Sequence, residues 1–153
     1  MIEYRKASIN DAAKLAKIRS EFFEEITNCT EIEREKLEAA SKNYFDYALA
    51  DDSFVAWLAV ENGKVIATSG LCFYMTPPSI DRLDGKVAYI MNMYTFPEYR
   101  KNGIAKELFT RIIEEAKKRG YCKLTLNATD KGKPLYEEFG FKDVKGDMVF
   151  YAK

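Results

Sequence analysis

The stretch Ala88-Tyr89-Ile90-Met91-Asn92-Met93-Tyr94-Thr95-Phe96-Pro97-Glu98-Tyr99-Arg100-Lys101-Asn102-Gly103-Ile104-Ala105-Lys106 reads as an apolar strand, a polar corner and the start of a helix. At such a corner successive backbone N–H groups stand at a helix N-terminus, unpaired by the helix and bearing a partial positive charge. That arrangement suits a phosphate or pyrophosphate. Gly103 lets a ligand approach the backbone, and Ala105 is small enough not to block it. Alone, Asn102-Gly103 could simply turn the chain. Two other phosphate motifs are missing: there is no Gly-x-Gly-x-x-Gly, and Gly132-Lys133 runs into Pro134 without the upstream glycine of a P-loop.

Outward from the corner, Lys86 to Phe96 is predicted as a strand. The following helix turns Ala105, Leu108, Phe109, Ile112 and Ala116 inward and stops at Lys117-Lys118-Arg119-Gly120, with basic residues in its last turn and a glycine behind them. Tyr121 to Asn127 is strand-like. A strand–helix–strand order implies parallel strands with a right-handed crossover. The corner then lies at the carboxyl end of a parallel strand, where open α/β sheets bind ligands.

Before this unit, Ile2 to Ala7 suits a short strand, and Ser8 to Thr27 a helix with Leu15, Ile18, Phe22 and Ile26 on one face. Thr30 and Glu33 have capping-box spacing for a second helix ending near Ala50, with a looser stripe of Ile32, Leu37, Ala40, Tyr44 and Tyr47. Phe22, Phe23, Tyr44 and Phe45 fit core better than a substrate cage, because helical spacing explains them. Phe54–Val60 and Lys64–Tyr74 flank Asn62-Gly63, a strong hairpin signal. Thr76-Pro77-Pro78 ends the second run. After the corner's βαβ unit come a helix over Lys131–Phe139 and two short strands within Phe141–Ala152. The expected order is β-α-α-β-β-β-α-β-α-β-β over residues 1–153: one α/β domain with a mixed sheet of six to seven strands and about four helices.

The 153 residues can bury a real core, and 47% hydrophobic with 31% charged is ordinary for a soluble globular chain. Twenty-four basic residues balance twenty-four acidic ones, so nucleic acid and anionic membranes are disfavoured partners. No apolar run approaches the ~20 residues that span a bilayer, and the N-terminus lacks a secretory apolar region. Cys29, Cys72 and Cys122 read as reduced thiols of a cytoplasmic protein, or one of them as a lone nucleophile. With no histidine in the chain, His-ligated zinc and Ser-His triads are excluded, and no metal is expected.

Tyr94 to Ala105 closely resembles the signature of the GNAT superfamily of acyl-CoA-dependent N-acetyltransferases. Leu135-Tyr136-Glu137-Glu138-Phe139-Gly140-Phe141 resembles that family's second signature, and the element order matches the family over essentially the whole chain. The resemblance implies that the strands from Lys86 and Tyr121 splay apart. The pantetheine arm of acetyl-CoA then enters the wedge and bonds to backbone around Met93, Tyr94 and Thr95, as a peptide adds to a sheet edge. The pyrophosphate rests on the N–H groups of Lys101, Asn102, Gly103, Ile104 and Ala105, with Arg100 opening the motif. Asn127 either bonds the cofactor arm or caps a turn; Lys133 either reaches a CoA phosphate or is a solvated lysine.

By the same resemblance Tyr136 is the catalytic acid, donating a proton toward the departing CoA sulfur, unless it is only a packed aromatic. A phenol suits a thiolate because both titrate at fairly high pKa. Many family members carry a glutamate or histidine on the strand before the corner as base. Here the aligned position is Tyr89, Asn92 is a further polar neighbour, and neither can serve as a carboxylate. Glu24, Glu25 or a water chain remain. The implied reaction is transfer of acetyl from acetyl-CoA to a primary amine by direct attack, with a backbone N–H near Met93 to Thr95 stabilising the oxyanion. The alternative is a non-catalytic acyl-CoA-binding sensor on the same fold. The acceptor stays open between small molecule and peptide, acyl groups longer than acetyl stay open, and a homodimer is compatible. The acidic run Glu21, Glu24, Glu25, Glu31, Glu33 and Glu35 hints at a cationic acceptor, though a solvated helix face explains it better.

Overall fold

Among residues 1–152, which a computed structural model of the chain describes, five stretches form strands and four form α-helices: β1 (Ile2–Lys6), α1 (Ala12–Ile26), α2 (Glu31–Ala48), β2 (Phe54–Glu61), β3 (Lys64–Met75), β4 (Lys86–Thr95), α3 (Ile104–Lys118), β5 (Lys123–Leu126) and α4 (Lys133–Glu138). Short 3₁₀ turns at Ile9–Asp11 and Pro97–Tyr99 precede α1 and follow β4. The strands lie in chain order, β1-β2-β3-β4-β5. Neighbours are antiparallel except β4 and β5, which are parallel across the α3 crossover.

Local chemistry sets the element ends. Asn62 and Gly63 both take positive φ (51° and 77°), so β2 and β3 join through a two-residue turn whose twist matches the strands. Thr30 accepts from the Glu33 N–H while the Glu33 carboxylate accepts from the Thr30 N–H, closing a capping box at the start of α2. Asp11 takes both guanidinium nitrogens of Arg5 at 2.9 Å and the Ser8 N–H at 2.8 Å, tying β1 to α1.

Helices cover both faces of the sheet, which is why β2 is apolar almost without alternation. On one face α1 and α2 bring Leu15, Ile18 and Phe45 against Phe54, Leu58 and Tyr94. On the other, α3 sets Ile104 and Leu108 against Ala59, Ile66 and Ala67, while Phe109 and Ile112 meet Leu71, Ala88, Ile90 and Tyr136.

Three expectations are corrected. First, the two C-terminal strands do not form: residues 142–152 make neither strand nor helix, and the sheet has five strands instead of six or seven. Val144, Met148, Val149, Phe150 and Tyr151 have strand-favouring side chains, but a strand exists only when paired. These five side chains stay exposed. Second, the inward face of α2 is Ser41, Phe45 and Ala48, whereas Ile32 and Tyr47 face outward. Phe45 wins because it stacks on Phe54 of β2, with centroids 5.1 Å apart. Third, Ile26 lies exposed at the last turn of α1, outside the core cluster that holds Leu15 and Ile18. No helix among the described residues is long and apolar enough to cross a membrane.

Candidate functional site

β5 pairs with β4 only along Val87–Ile90. From Met91 onward the β5 side of β4 has no strand partner among the described residues. Phe96 donates its N–H to Ile66 of β3, and backbone direction alternates along a strand, so Met93 and Thr95 turn their N–H and C=O groups to the open edge. Pairing between the two strands thus ends at Ile90 and Leu126, and the β4 edge stands open beyond it.

A β-bulge lies where this open edge begins. Thr68 pairs with Tyr94 and Gly70 with Met91, so β4 carries one residue more than β3 between them. Asn92 takes φ +57° there, and its carbonyl accepts from the buried Thr68 hydroxyl at 2.8 Å. The extra residue resets the alternation of side chains. Ala88 and Ile90 face α3, whereas Met91 and Asn92 both face α1 and α2. Gly70 allows this crowding, since a Cβ there would sit 2.3 Å from the Phe54 ring.

Past Thr95 the chain turns through Pro97–Tyr99 into the corner. Lys101 (φ 65°) and Gly103 (φ 77°) are both left-handed, which folds the backbone into a concave nest of N–H groups. Gly103 caps α3 with no side-chain acceptor, so the first-turn N–H groups are unpaired by any cap. A Cβ at Gly103 would meet nothing within 4 Å, so the nest opens outward. Ile104 is buried in the core and offers this corner only backbone; Ala105 is half-buried. Asn102 donates to the Tyr99 carbonyl at 3.2 Å. Arg100 donates to the Thr95 carbonyl at 2.8 Å and grips both Glu25 oxygens at 2.9 and 2.8 Å, with its guanidinium over Tyr94.

Tyr136 lies in α4 on the α3 side, in one apolar cluster with Phe109, Met93 and Leu126. Its ring centroid is 5.1 Å from that of Phe109, and burial pushes the phenol's pKa up. Gly132 leaves the ring its room, because a Cβ there would come within 3.0 Å of it. Asn127 follows the last residue of β5 and donates to the Tyr89 hydroxyl at 2.9 Å across the strands. Tyr94 is buried, edge-on to Phe22 and Phe96.

The remaining candidates are engaged elsewhere. Lys133 pairs with Asp143 at 2.8 Å and Glu24 with Arg34 at 2.9 Å, while Glu25 is held by Arg100. The acidic run on α1 and α2 therefore serves in part to tie helices and to cap α2, and the hint of a cationic acceptor loses Glu24, Glu25 and the capping Glu33. Among the described residues no group of His, Cys, Asp and Glu could hold a metal ion, and the three cysteines are unpaired.

Sequence reasoning passed over Arg19. It sits on α1 beside the bulge, and its Nη1 donates to Asn92 Oδ1 at 2.7 Å. Together they face a cavity of about 280 Å³ walled by Tyr44, Phe45, Phe54 and Met91. The available signal was spacing: Arg19 follows Leu15 by four residues and precedes Phe22 by three, which puts a charge on the apolar stripe.

Comparison with known proteins gives this geometry a context. The model of the acetyltransferase (GNAT) family matches residues 15–141. The chain is 36% identical over 69 residues to the uncharacterized N-acetyltransferase YsnE of Bacillus subtilis (strain 168), covering 42% of this chain and 46% of that protein. It is 29% identical over 80 residues to the glucosamine 6-phosphate N-acetyltransferase of Trypanosoma brucei brucei, covering 52% of each. The chain thus spans about half the length of the curated relatives it matches. A predicted acetyltransferase from Clostridium acetobutylicum, crystallised with acetyl-CoA, superposes with a TM-score of 0.88 at 35% identity, covering 99% of this chain and 96% of the other. A GCN5-related N-acetyltransferase from Ralstonia eutropha JMP134 gives 0.91 at 28% identity, with both chains covered completely. A parallel pair with an open β4 edge, a concave corner and a family match over most of the sequence agree, and the chain belongs to the acetyltransferase (GNAT) family.

Proposed function

We propose that this protein is an N-acetyltransferase that moves an acetyl group from acetyl-CoA to a primary amine by direct attack. The observation that carries the proposal is the open edge of β4 leading into the uncapped corner before α3. The local chemistry fits the carrier. The edge offers Met93 and Thr95 backbone to an extended amide-bearing arm, and the nest at Lys101–Ala105 suits a pyrophosphate, with open space where a Gly103 side chain would stand. Acetyl-CoA supplies the activated acyl group as a thioester.

The protein's own residues then have separate tasks. The N–H groups on the β4 edge orient the arm and hold a hydrogen bond to developing negative charge. Tyr136 holds a proton at its phenol oxygen, and burial keeps that proton on the oxygen at neutral pH. Arg100 fixes the corner to β4 and α1 through Thr95 and Glu25. Asn127 and Tyr89 brace the two strands where the open edge begins. Amine deprotonation runs through water, since β4 carries no carboxylate or histidine and Glu24 and Glu25 hold arginines. The three unpaired cysteines suit a cytoplasmic location.

A homodimer is compatible with this reading, because the exposed apolar series Val144, Met148, Val149, Phe150 and Tyr151 would be hidden between two copies. Thiol release from acetyl-CoA across a panel of primary amines tests the activity. Acceptor-dependent release supports it, and tight acetyl-CoA binding with no release from any amine would favour a sensor.

A further inference from the structure

Resting on that reading, we infer that the acceptor is a carboxylate-bearing primary amine with an apolar body, of the size of an aliphatic or aromatic α-amino acid, and that Arg19 receives its carboxylate. Seven arginines occur in the chain. Six hold a carboxylate: Arg5 pairs with Asp11, Arg34 with Glu24, Arg82 with Asp84, Arg100 with Glu25, Arg111 with Glu107, and Arg119 with Asp52 and Glu115. Arg19 holds none among the described residues. Its one side-chain acceptor is the amide oxygen of Asn92, and it lies over the Phe23 ring at 4.9 Å.

The titratable groups facing Arg19 are Tyr44, Tyr89 and Cys72, none of them a carboxylate, and burial pushes the Tyr44 phenol and the Cys72 thiol up. A guanidinium has five N–H donors, so most of this fork is free. A cation drawn out of water without a counter-ion is costly, and a bound carboxylate taken by two parallel N–H groups relieves that cost.

The cavity selects among anions. It is about 280 Å³, it has a single cation, and Tyr44, Phe45, Phe54 and Met91 line much of it. One positive charge matches a monoanion better than a phosphate dianion, and the aromatic wall matches an apolar side chain. Placement selects the amine. Arg19 is bonded to Asn92 on the bulge where the open edge begins, so a carboxylate held there leaves an α-amine, two bonds from the carboxyl carbon, at the start of that edge. The phosphate corner lies at the other end of that edge, beyond Thr95, so the two anions do not compete.

Matched pairs test this directly: leucine against isoamylamine, and phenylalanine against phenethylamine, in the thiol-release assay. The wild-type protein is expected to favour the amino acid in kcat/KM by about 100-fold or more, because the amine lacking its carboxylate leaves Arg19 unpaired. Arg19→Gln should bring that ratio close to one while acetyl-CoA affinity by calorimetry stays the same. A second measurement needs no turnover: 4-methylpentanoate and N-acetylleucine, titrated calorimetrically, should bind wild type and not Arg19→Gln. Should the variant fail to fold, the wild-type ratios and titrations alone decide. Equal rates within each pair, or no binding of either carboxylate to wild type, would overturn the assignment. If no amine of either kind releases CoA, acyl transfer itself fails, and the carboxylate titration still judges the pocket.

Discussion

Tyr136 illustrates how one residue can belong to a core and to a reaction. Its ring is packed against Phe109 and shares a cluster with Met93 below the open edge, and burial raises its pKa. Tyr136→Phe keeps the ring and removes the proton, so kcat should fall at least ~10-fold, within the range for a lost general acid. Acetyl-CoA affinity and melting temperature should barely move. Wild-type turnover in this variant would make the tyrosine a packing residue only. Glu24 is tied to Arg34 on the surface, so Glu24→Ala should cost less than tenfold in kcat/KM, under about 1.4 kcal/mol of barrier. A hundredfold loss would identify it as the base. Residue identity was legible in the sequence wherever spacing carried it, as for Thr30 and Glu33. Arg19 was not, because what marks it is the missing carboxylate, and only packing shows which charges have found partners.

The corner that joins β4 to α3 works as an element, since its N–H groups act together. Gly103→Glu forces a side chain onto φ +77° and places a negative charge in the nest. The site is open, so the fold should survive at a cost of about 1 kcal/mol. Calorimetry should show acetyl-CoA affinity lost; an undiminished affinity would refute the phosphate corner. The joint between β1 and α1 is electrostatic. Arg5 and the Ser8 N–H hold the Asp11 carboxyl below its usual range. A depressed carboxylate stabilises the fold fully above its unfolded pKa, about 3.9, and that contribution disappears as pH falls through the lower folded value. Asp11→Asn should therefore lower stability by about 1–2 kcal/mol at pH 7. Its urea midpoint should decline less steeply than wild type from pH 5 to pH 3; parallel declines would remove Asp11 from the account. The strand, corner and helix could be read from sequence because each is local. The inward face of α2 could not, because Tyr44 and Phe45 are adjacent and only the position of Phe54 in β2 decides which turns in.

For the whole molecule, the proton inventory sets the pH response. An alkylammonium has a pKa near ~10.4, so at neutrality only a small fraction of acceptor can attack. The logarithm of kcat/KM should rise with pH through neutrality, with no shoulder from an activated carboxylate; a plateau beginning near pH 6 would point to a protein base. The C-terminal series could be read from sequence as strand-forming and nothing more. Pairing is a relation between distant segments, and alternation along one segment does not name its partner. The bulge at Asn92 was equally hidden, since it depends on Gly70 yielding space to Phe54. The open edge from Met91 to Thr95 then has a consequence of scale: at ~3.3 Å per residue it is about 13 Å long. It is a ruler. The handle of the carrier is recognised at one end and its cargo is delivered at the other, with only uniform backbone between. Acceptor preference can therefore be rewritten around Met91 and Arg19 without touching the handle, whereas a carrier with a shortened arm can be gripped or can deliver, but not both.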